Sequence, residues 1–191
     1  MVNARIDGRC LSVSELCHFW ILLVVAGSEP TRHLISGSLQ LLCDWPEERE
    51  RLVRDPSLVP LAVEELLRFW TPIMQFRRTA TREVDLEGQS IRAGDKVVLY
   101  YISGNRDGAA FEHPDRLDLG RHPNPHLAFG SGSHFCLGAR LARLETAILL
   151  RELLPHLNRF ELTGPVVRLQ SSFVNGIKSM PARFAPARSA Q

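Results

Sequence analysis

The stretch FGSGSHFCLG, Phe129 to Gly138, sets one cysteine and one histidine among three glycines, immediately ahead of a strongly helical run. Three kinds of chemistry compete for a cysteine placed there. As a metal ligand, Cys136 would gain from the dipole and free N–H groups of a helix N-terminus, which favour a thiolate. As a nucleophile it would need an adjacent base; His134 is near, but no further group is evident to orient it. As an inert buried hydrophobe it would need nothing. That last reading leaves Gly130, Gly132 and Gly138 unexplained, since glycine lets backbone wrap closely around a bound group. Phe129 would add an apolar lid.

Three other stretches carry groups capable of chemistry. Ala26-Gly27-Ser28-Glu29-Pro30-Thr31-Arg32 lies within a long apolar pattern, where Ala26 and Gly27 read as a helix-packing site and Glu29 as a solvated acid. Glu65-Leu66-Leu67-Arg68 reads as a surface helix pair, worth a few tenths of a kcal/mol. Phe76-Arg77-Arg78-Thr79 reads as an edge strand with solvent-facing guanidiniums.

The elements that must position these groups follow from periodicity and punctuation. One long helix is predicted from Ser12 to about Leu42, capped by Ser12 or Ser14 and kinked or bulged over Ala26 to Glu29, because Pro30 falls in its interior. Pro46 starts a short helix through Val53, and another helix spans about Val59 to Phe69, with Leu61, Leu66 and Leu67 on its apolar side. The period changes to two from Phe76 to Tyr101, giving short antiparallel strands turned at Glu87-Gly88 and Ala93-Gly94-Asp95. Gly104 to Asn124 is a long irregular segment. A last helix runs from about Leu137 to Leu154 with an apolar stripe of Leu141, Leu144, Ile148 and Leu149. Short strands follow near Phe160 to Leu162 and Arg183 to Phe184. The fold class is mainly α with small antiparallel β-sheets.

Composition bounds the rest. With 191 residues, 45% apolar and 23% charged, the chain has the makings of one globular domain. A net charge of +2 gives no reason to invoke nucleic acid. Cys10, Cys17, Cys43 and Cys136 include no C-x-x-C pair, so a reducing, cytoplasmic setting is expected. Phe19 to Ala26, eight apolar residues, falls far short of the roughly 20 that span a bilayer; Asp7 and Glu15 interrupt any signal-peptide pattern.

FGSGSHFCLG followed by ARLARLE resembles the haem-binding signature F-x-x-G-x-x-x-C-x-G of the cytochrome P450 monooxygenases, matching every fixed position. The resemblance implies haem b with Cys136 as its proximal thiolate, the ligand class that pushes electron density to the iron and favours O–O cleavage. It implies that His134 and Arg78, with Arg77 as the fallback, meet the haem propionates, and that Phe129, Gly130 and Gly138 line the cofactor. Glu65 and Arg68 match the family's E-x-x-R helix, and Arg116 in the following meander would complete a structural ion-pair network with them. Ala26 to Arg32 is similar to the family's A-G-x-[ED]-T-[TS]-R, which places Ala26 against the haem and makes Glu29 and Thr31 the proton-delivering pair. The chain departs from that pattern at Pro30, which stands where the relay threonine usually does; Thr31 is rotated by about 100° around the helix. Proton delivery is therefore expected through Glu29 with Thr31, Ser28 or water.

The resemblance assigns substrate contacts to Val25 and Gly27, to Ile73 and Met74 beside Pro72, and to Phe173 and Val174. All are apolar or small, so a hydrophobic sterol-, fatty-acid- or terpenoid-like substrate is implied. Electrons would come from a ferredoxin or flavoprotein docking near Arg140 and Arg143. The likeness covers only the C-terminal half of the family's fold, from the distal helix onward. An exposed apolar surface that could drive dimerisation is thus expected, and the alternative reading is a haem- or partner-binding fragment without monooxygenase activity.

Overall fold

The computed structural model describes residue 3 and residues 5–186. A two-residue hairpin, β1 (Arg5–Ile6) and β2 (Arg9–Cys10), precedes α1 (Val13–Asp44). Ser12 caps α1 in a reciprocal box: its hydroxyl accepts from Glu15 N–H at 3.2 Å while the Glu15 carboxylate accepts from Ser12 N–H at 2.9 Å. The kink expected over Ala26 to Glu29 is not a break, because α-helix continues unbroken through Pro30. Proline removes a single donor, so the turns on either side carry the helix across it. The carbonyl of Ala26 is the one left without its usual partner four residues on.

Two helices pack beneath the C-terminal half of α1: α2 (Pro46–Arg54) and α3 (Val59–Trp70). Leu34, Leu41 and Leu42 join Leu52, Val63, Leu66 and Leu67 in one core. Each such leucine contributes roughly 1.5–3 kcal/mol by leaving water. Gly37 fits directly under the Trp70 indole, where an added Cβ would lie 2.1 Å from ring carbons. This close approach is why α1 and α3 can pack as they do.

After α3, strand β3 (Gln75–Thr79) pairs antiparallel with β6 (Lys96–Tyr100), enclosing the hairpin of β4 (Val84–Leu86) and β5 (Gln89–Ile91). Glu87 and Gly88 both take positive φ, the twist a tight hairpin turn favours. A single helical turn, α4 (Tyr101–Gly104), opens the irregular segment, which wraps α3. A 3-10 turn, Gly132–His134, precedes α5 (Ala139–Leu153), and a second, Leu154–Arg159, absorbs Pro155. The chain closes with β7 (Phe160–Leu162) paired to β10 (Ala182–Phe184), and β8 (Val167–Arg168) paired to β9 (Ile177–Ser179). Small antiparallel pairs on a helical body is the architecture the sequence implies.

The apolar stripe read on α5 turns mostly to solvent, with Leu149 half-buried. The stripe Leu141, Leu144 and Ile148 of α5 faces outward, at 59%, 56% and 50% exposure, and the buried face is Ala139, Thr146 and Leu150. Both faces of α5 carry apolar groups, and the side turned inward is the one that also places Arg143 against α3. The first half of α1 behaves likewise: Phe19, Trp20, Ile21, Leu22, Val24 and Val25 are exposed.

Candidate functional site

Beneath the cysteine loop lies a fully buried carboxylate and guanidinium. Glu65 and Arg68 sit one turn apart on α3, and Arg68 donates to both carboxylate oxygens at 2.8 Å. The remaining Arg68 donors reach the carbonyls of Asn105 at 2.7 Å and Pro114 at 2.8 Å. Glu65 further accepts from Asp118 N–H at 3.0 Å and from the Asn124 amide at 3.0 Å. Such complete satisfaction is what makes a buried pair tolerable. The third ion-pair partner is Arg121, whose Nε lies 3.1 Å from Glu65, and not Arg116. Arg116 is exposed and offers only its backbone carbonyl to Arg68 and Arg121. Turns between Pro114 and Asn124 decide which arginine points inward.

The neighbouring carboxylate, Glu64, ties the same helix to the loop. It accepts from Arg143 of α5 at 2.7 and 2.8 Å and from His126 Nε2 at 2.9 Å. His126 Nδ1 accepts from Ala128 N–H at 3.2 Å, which fixes the proton on Nε2. Burial pushes the Glu64 carboxyl upward, but the hydrogen bonds of His126 and Arg143 and the charge of Arg143 outweigh it and bring the pKa down to about 2. Arg143 also lies 4.5 Å over the Phe129 ring. It is committed internally, so of the two arginines assigned to a docking face, only Arg140 is exposed. Neither Glu64 nor His126 was singled out from sequence; an acid next to the E-x-x-R glutamate and a histidine three residues before Phe129 were the available signals.

From this platform the loop rises. Leu127 N–H donates to the Asn105 side chain at 2.6 Å, Gly130 and Gly132 turn at φ of 71° and 68°, and Cys136 N–H closes back onto the Phe129 carbonyl at 2.9 Å. Glycine is required at both turns by their positive φ. Gly138 is the N-cap of α5, so Cys136 stands just ahead of the helix mouth. It is a free, exposed cysteine. Among the described residues, the N–H groups of Leu137 and Gly138 donate to no backbone acceptor. Phe135 and Leu137 flank the thiol with exposed apolar surface, Leu137 at 88%. His134 is exposed on the same loop.

The structure gathers four of the apolar residues assigned to substrate. Ile73 bridges Val174, and Met74 N–H donates to the Phe173 carbonyl at 2.9 Å. Phe173 meets Phe76 edge-on at 5.3 Å, Phe76 lies 6.1 Å from Tyr101, and the Tyr101 hydroxyl stands 3.4 Å from where a Cβ on Gly130 would be. Aromatic contacts thus connect this cluster to the cysteine loop. Arg78 is half-buried on β3, its Nη1 donating to the Arg77 carbonyl at 3.1 Å. On α1, Val25, Ala26 and Gly27 are exposed, and a shallow apolar hollow of about 360 Å³ covers Trp20, Ile21, Val24 and Val25.

The acid and the alcohol of α1 are not joined. Glu29 accepts from Arg32 at 2.6 Å and lies 3.2 Å from His33 Nε2. The Arg32 hydrogen bond and, more weakly, the charge of Arg32 and the contact with His33 hold its carboxyl below the usual range against partial desolvation. Among the described residues no hydrogen bond links Glu29 to Thr31, and the Ser28 hydroxyl is committed to the Val24 carbonyl at 2.8 Å.

Chemically, the loop presents a lone thiol. Among the described residues no three His, Cys, Asp or Glu side chains gather to hold a bare metal ion. A single thiolate suits a metal whose other ligands come with a cofactor. The apolar flanks of Phe135 and Leu137 and the cationic Arg78 fit an apolar macrocycle with anionic edges.

The profile of the family described as Cytochrome P450 matches residues 50–178. The chain is 45% identical over 187 residues to a methyl-branched lipid omega-hydroxylase of Mycobacterium tuberculosis, covering 97% of this chain and 44% of that protein. It is 40% identical over 190 residues to a steroid C26-monooxygenase of the same organism, covering 98% of this chain and 48% of the relative. Among solved structures, a Mycobacterium marinum cytochrome P450 in complex with pseudoionone superposes with a TM-score of 0.91 at 48% identity, over 96% of this chain and 44% of that one. The chain therefore spans about half the length of the curated relatives it matches.

Proposed function

The chain belongs to the cytochrome P450 family, and on that premise we propose haem-thiolate monooxygenation of a hydrophobic small molecule as its function. The observation that carries this reading is the exposed Cys136, delivered by a loop with two positive-φ glycines and anchored to the Glu65–Arg68 platform. Bound haem would supply the oxygen-activating redox chemistry; the protein supplies ligand, position and proton delivery. Cys136 would hold the iron through its sulfur, with Leu137 and Gly138 N–H groups free to donate to it. Phe129, Gly130, Gly138 and Ala26 would lie against the macrocycle, while Arg78 and His134 would meet its propionates. Glu29 would accept and pass protons, with Thr31 or water completing the path.

Val25, Gly27, Ile73, Met74, Phe173 and Val174 would line the substrate. Their apolar character and the names of the lipid- and steroid-oxidising relatives support a sterol-, fatty-acid- or terpenoid-like molecule. Electrons would arrive from a ferredoxin or flavoprotein in the cytoplasm. No helix among the described residues is long and apolar enough to cross a membrane.

A second reading rests on the exposed apolar faces of α1 and α5: a fragment that binds haem or a partner, or self-associates, without turnover. One spectrum separates the two. The reduced, carbon monoxide-bound chain should show the red-shifted Soret band of a thiolate-ligated haem, lost in Cys136→Ala. A histidine-type band, or no haem uptake, would sink the monooxygenase reading for this chain.

A further inference from the structure

Glu29 projects from a part of α1 that is otherwise exposed, yet its carboxylate is held from below. His33, one turn further on, is 1% exposed, and its Nδ1 accepts from the Ile177 N–H of β9 at 3.2 Å. That bond requires a lone pair on Nδ1, so the imidazole proton resides on Nε2. Nε2 lies 3.2 Å from Glu29 Oε2, the oxygen that also receives Arg32. Arg32 thus donates to this oxygen while His33 Nε2, itself 3.4 Å from Arg32 Nη2, packs within ion-pair distance of it, and Oε1 is left for other partners.

We propose that His33 is the positioning residue for Glu29, locking the acid's orientation to the C-terminal strand β9 and thereby setting proton delivery. This rests on the proposed function for its catalytic consequence, though not for its geometry. Arg32 alone cannot supply the constraint: it is 64% exposed and reaches Glu29 with a long, freely rotating side chain. The His33 ring has no such freedom. A Cβ at Gly176 would stand 2.8 Å from its ring atoms, so backbone 176–177 presses on the imidazole from one side while α1 holds it from the other. Desolvation, aided by the charge of Arg32, keeps the imidazole's pKa below its ordinary value despite Glu29, consistent with a neutral donor.

The amide side chains separate the two halves of this contact. His33→Gln retains a donor at the Nε2 position but not the acceptor for Ile177; His33→Asn retains the acceptor near Nδ1 but cannot reach Glu29. The readout is the Glu29 carboxyl titration, followed by carbon-13 NMR on the full chain labelled at glutamate and assigned against Glu29→Gln. In His33→Asn the Glu29 pKa should rise by a part of its depression, the Arg32 hydrogen bond retaining the larger part, and in His33→Gln it should stay near the parent. Gly176→Ala, which displaces the ring without altering α1, should move Glu29 in the same direction as His33→Asn and covers the case in which that variant does not fold. In haem-loaded protein, coupling of electron uptake to product should fall by about tenfold in His33→Asn and recover in His33→Gln, the size expected when a proton-transfer group is misplaced. An unchanged Glu29 titration in both His33→Asn and Gly176→Ala would reduce His33 to packing and overturn the proposal. That outcome is independent of haem, so it is distinguishable from failure of the carbon monoxide spectrum.

Discussion

The polar platform under the cysteine loop and the outer faces of α1 and α5 are built on opposite principles. In the platform, α3 and the segment 104–126 form a closed polar lattice in which Glu65, Arg68, Asn105 and Thr71 are fully buried and mutually hydrogen-bonded. The first half of α1 and the outer stripe of α5 instead expose phenylalanine, tryptophan and leucine with nothing across from them among the described residues. The platform is self-sufficient, whereas those faces leave large apolar side chains in water. Buried polar bonding and open apolar surface therefore reside in different parts of the molecule, and substitutions should sort accordingly.

The largest effect is expected where the lattice is cut. Arg68→Ala leaves the Glu65 carboxylate buried and stripped of its main partner, a loss of roughly 3–5 kcal/mol. Urea denaturation should find the variant unfolded or nearly so, and a cost below about 1 kcal/mol would break the comparison at its foundation. Gly37→Ala attacks the helix crossing instead of the lattice: its Cβ meets the Trp70 ring at 2.1 Å, and overpacking of this kind costs about 1–3 kcal/mol. The expected sign is a lowered urea midpoint with retained haem uptake in the folded fraction.

Sequence made the first of these legible and hid its details. Glu65 and Arg68 were identifiable from the E-x-x-R resemblance, and Cys136, Gly130 and Gly132 from the loop signature, because those groups sit at fixed spacings within one element or one turn. Arg121 was not, since the choice between it and Arg116 depends on how ten irregular residues fold over α3. The stripe of α5 was legible but its outward orientation was not, because periodicity reveals an apolar face and not what faces it: Leu141, Leu144 and Ile148 have the spacing of a core stripe. Pro30 announced a local distortion, and the structure shows α-helix continuing on both sides of it. Arg116→Ala should therefore stay within about 0.5 kcal/mol of the parent, and Arg121→Ala should be measurably worse.

Glu64 joins α3 to α5 and, through Arg143 and His126, to the cysteine loop. Its pKa falls from an ordinary 4.5 to about 2 on folding. A depressed carboxyl stabilises the folded state above its unfolded pKa, so this contribution is complete above about pH 4.5 and disappears as pH falls through about 2. Glu64→Gln should cost about 2 kcal/mol at pH 6, less than the full shift converts to, because the side chain is 26% exposed and partly screened. The gap between parent and variant should narrow steadily between pH 4.5 and 2. A gap independent of pH would mean that the amide's packing, and not the charge, accounts for the loss.

The smallest effect on stability belongs to the open side, and it is the sharpest test of the contrast. Leu141 and Leu144 contribute little to the core of this chain, because more than half of each remains in water. Replacing both with glutamine should change the urea midpoint by no more than about 0.5 kcal/mol. The same double variant removes part of a continuous apolar stripe with Leu137 and Ile148, so sedimentation velocity should show less self-association than in the parent. If the pair instead proved as costly as Gly37→Ala, the stripe would be part of the core in solution, and the boundary between the self-sufficient platform and the open faces would have to be redrawn along α5.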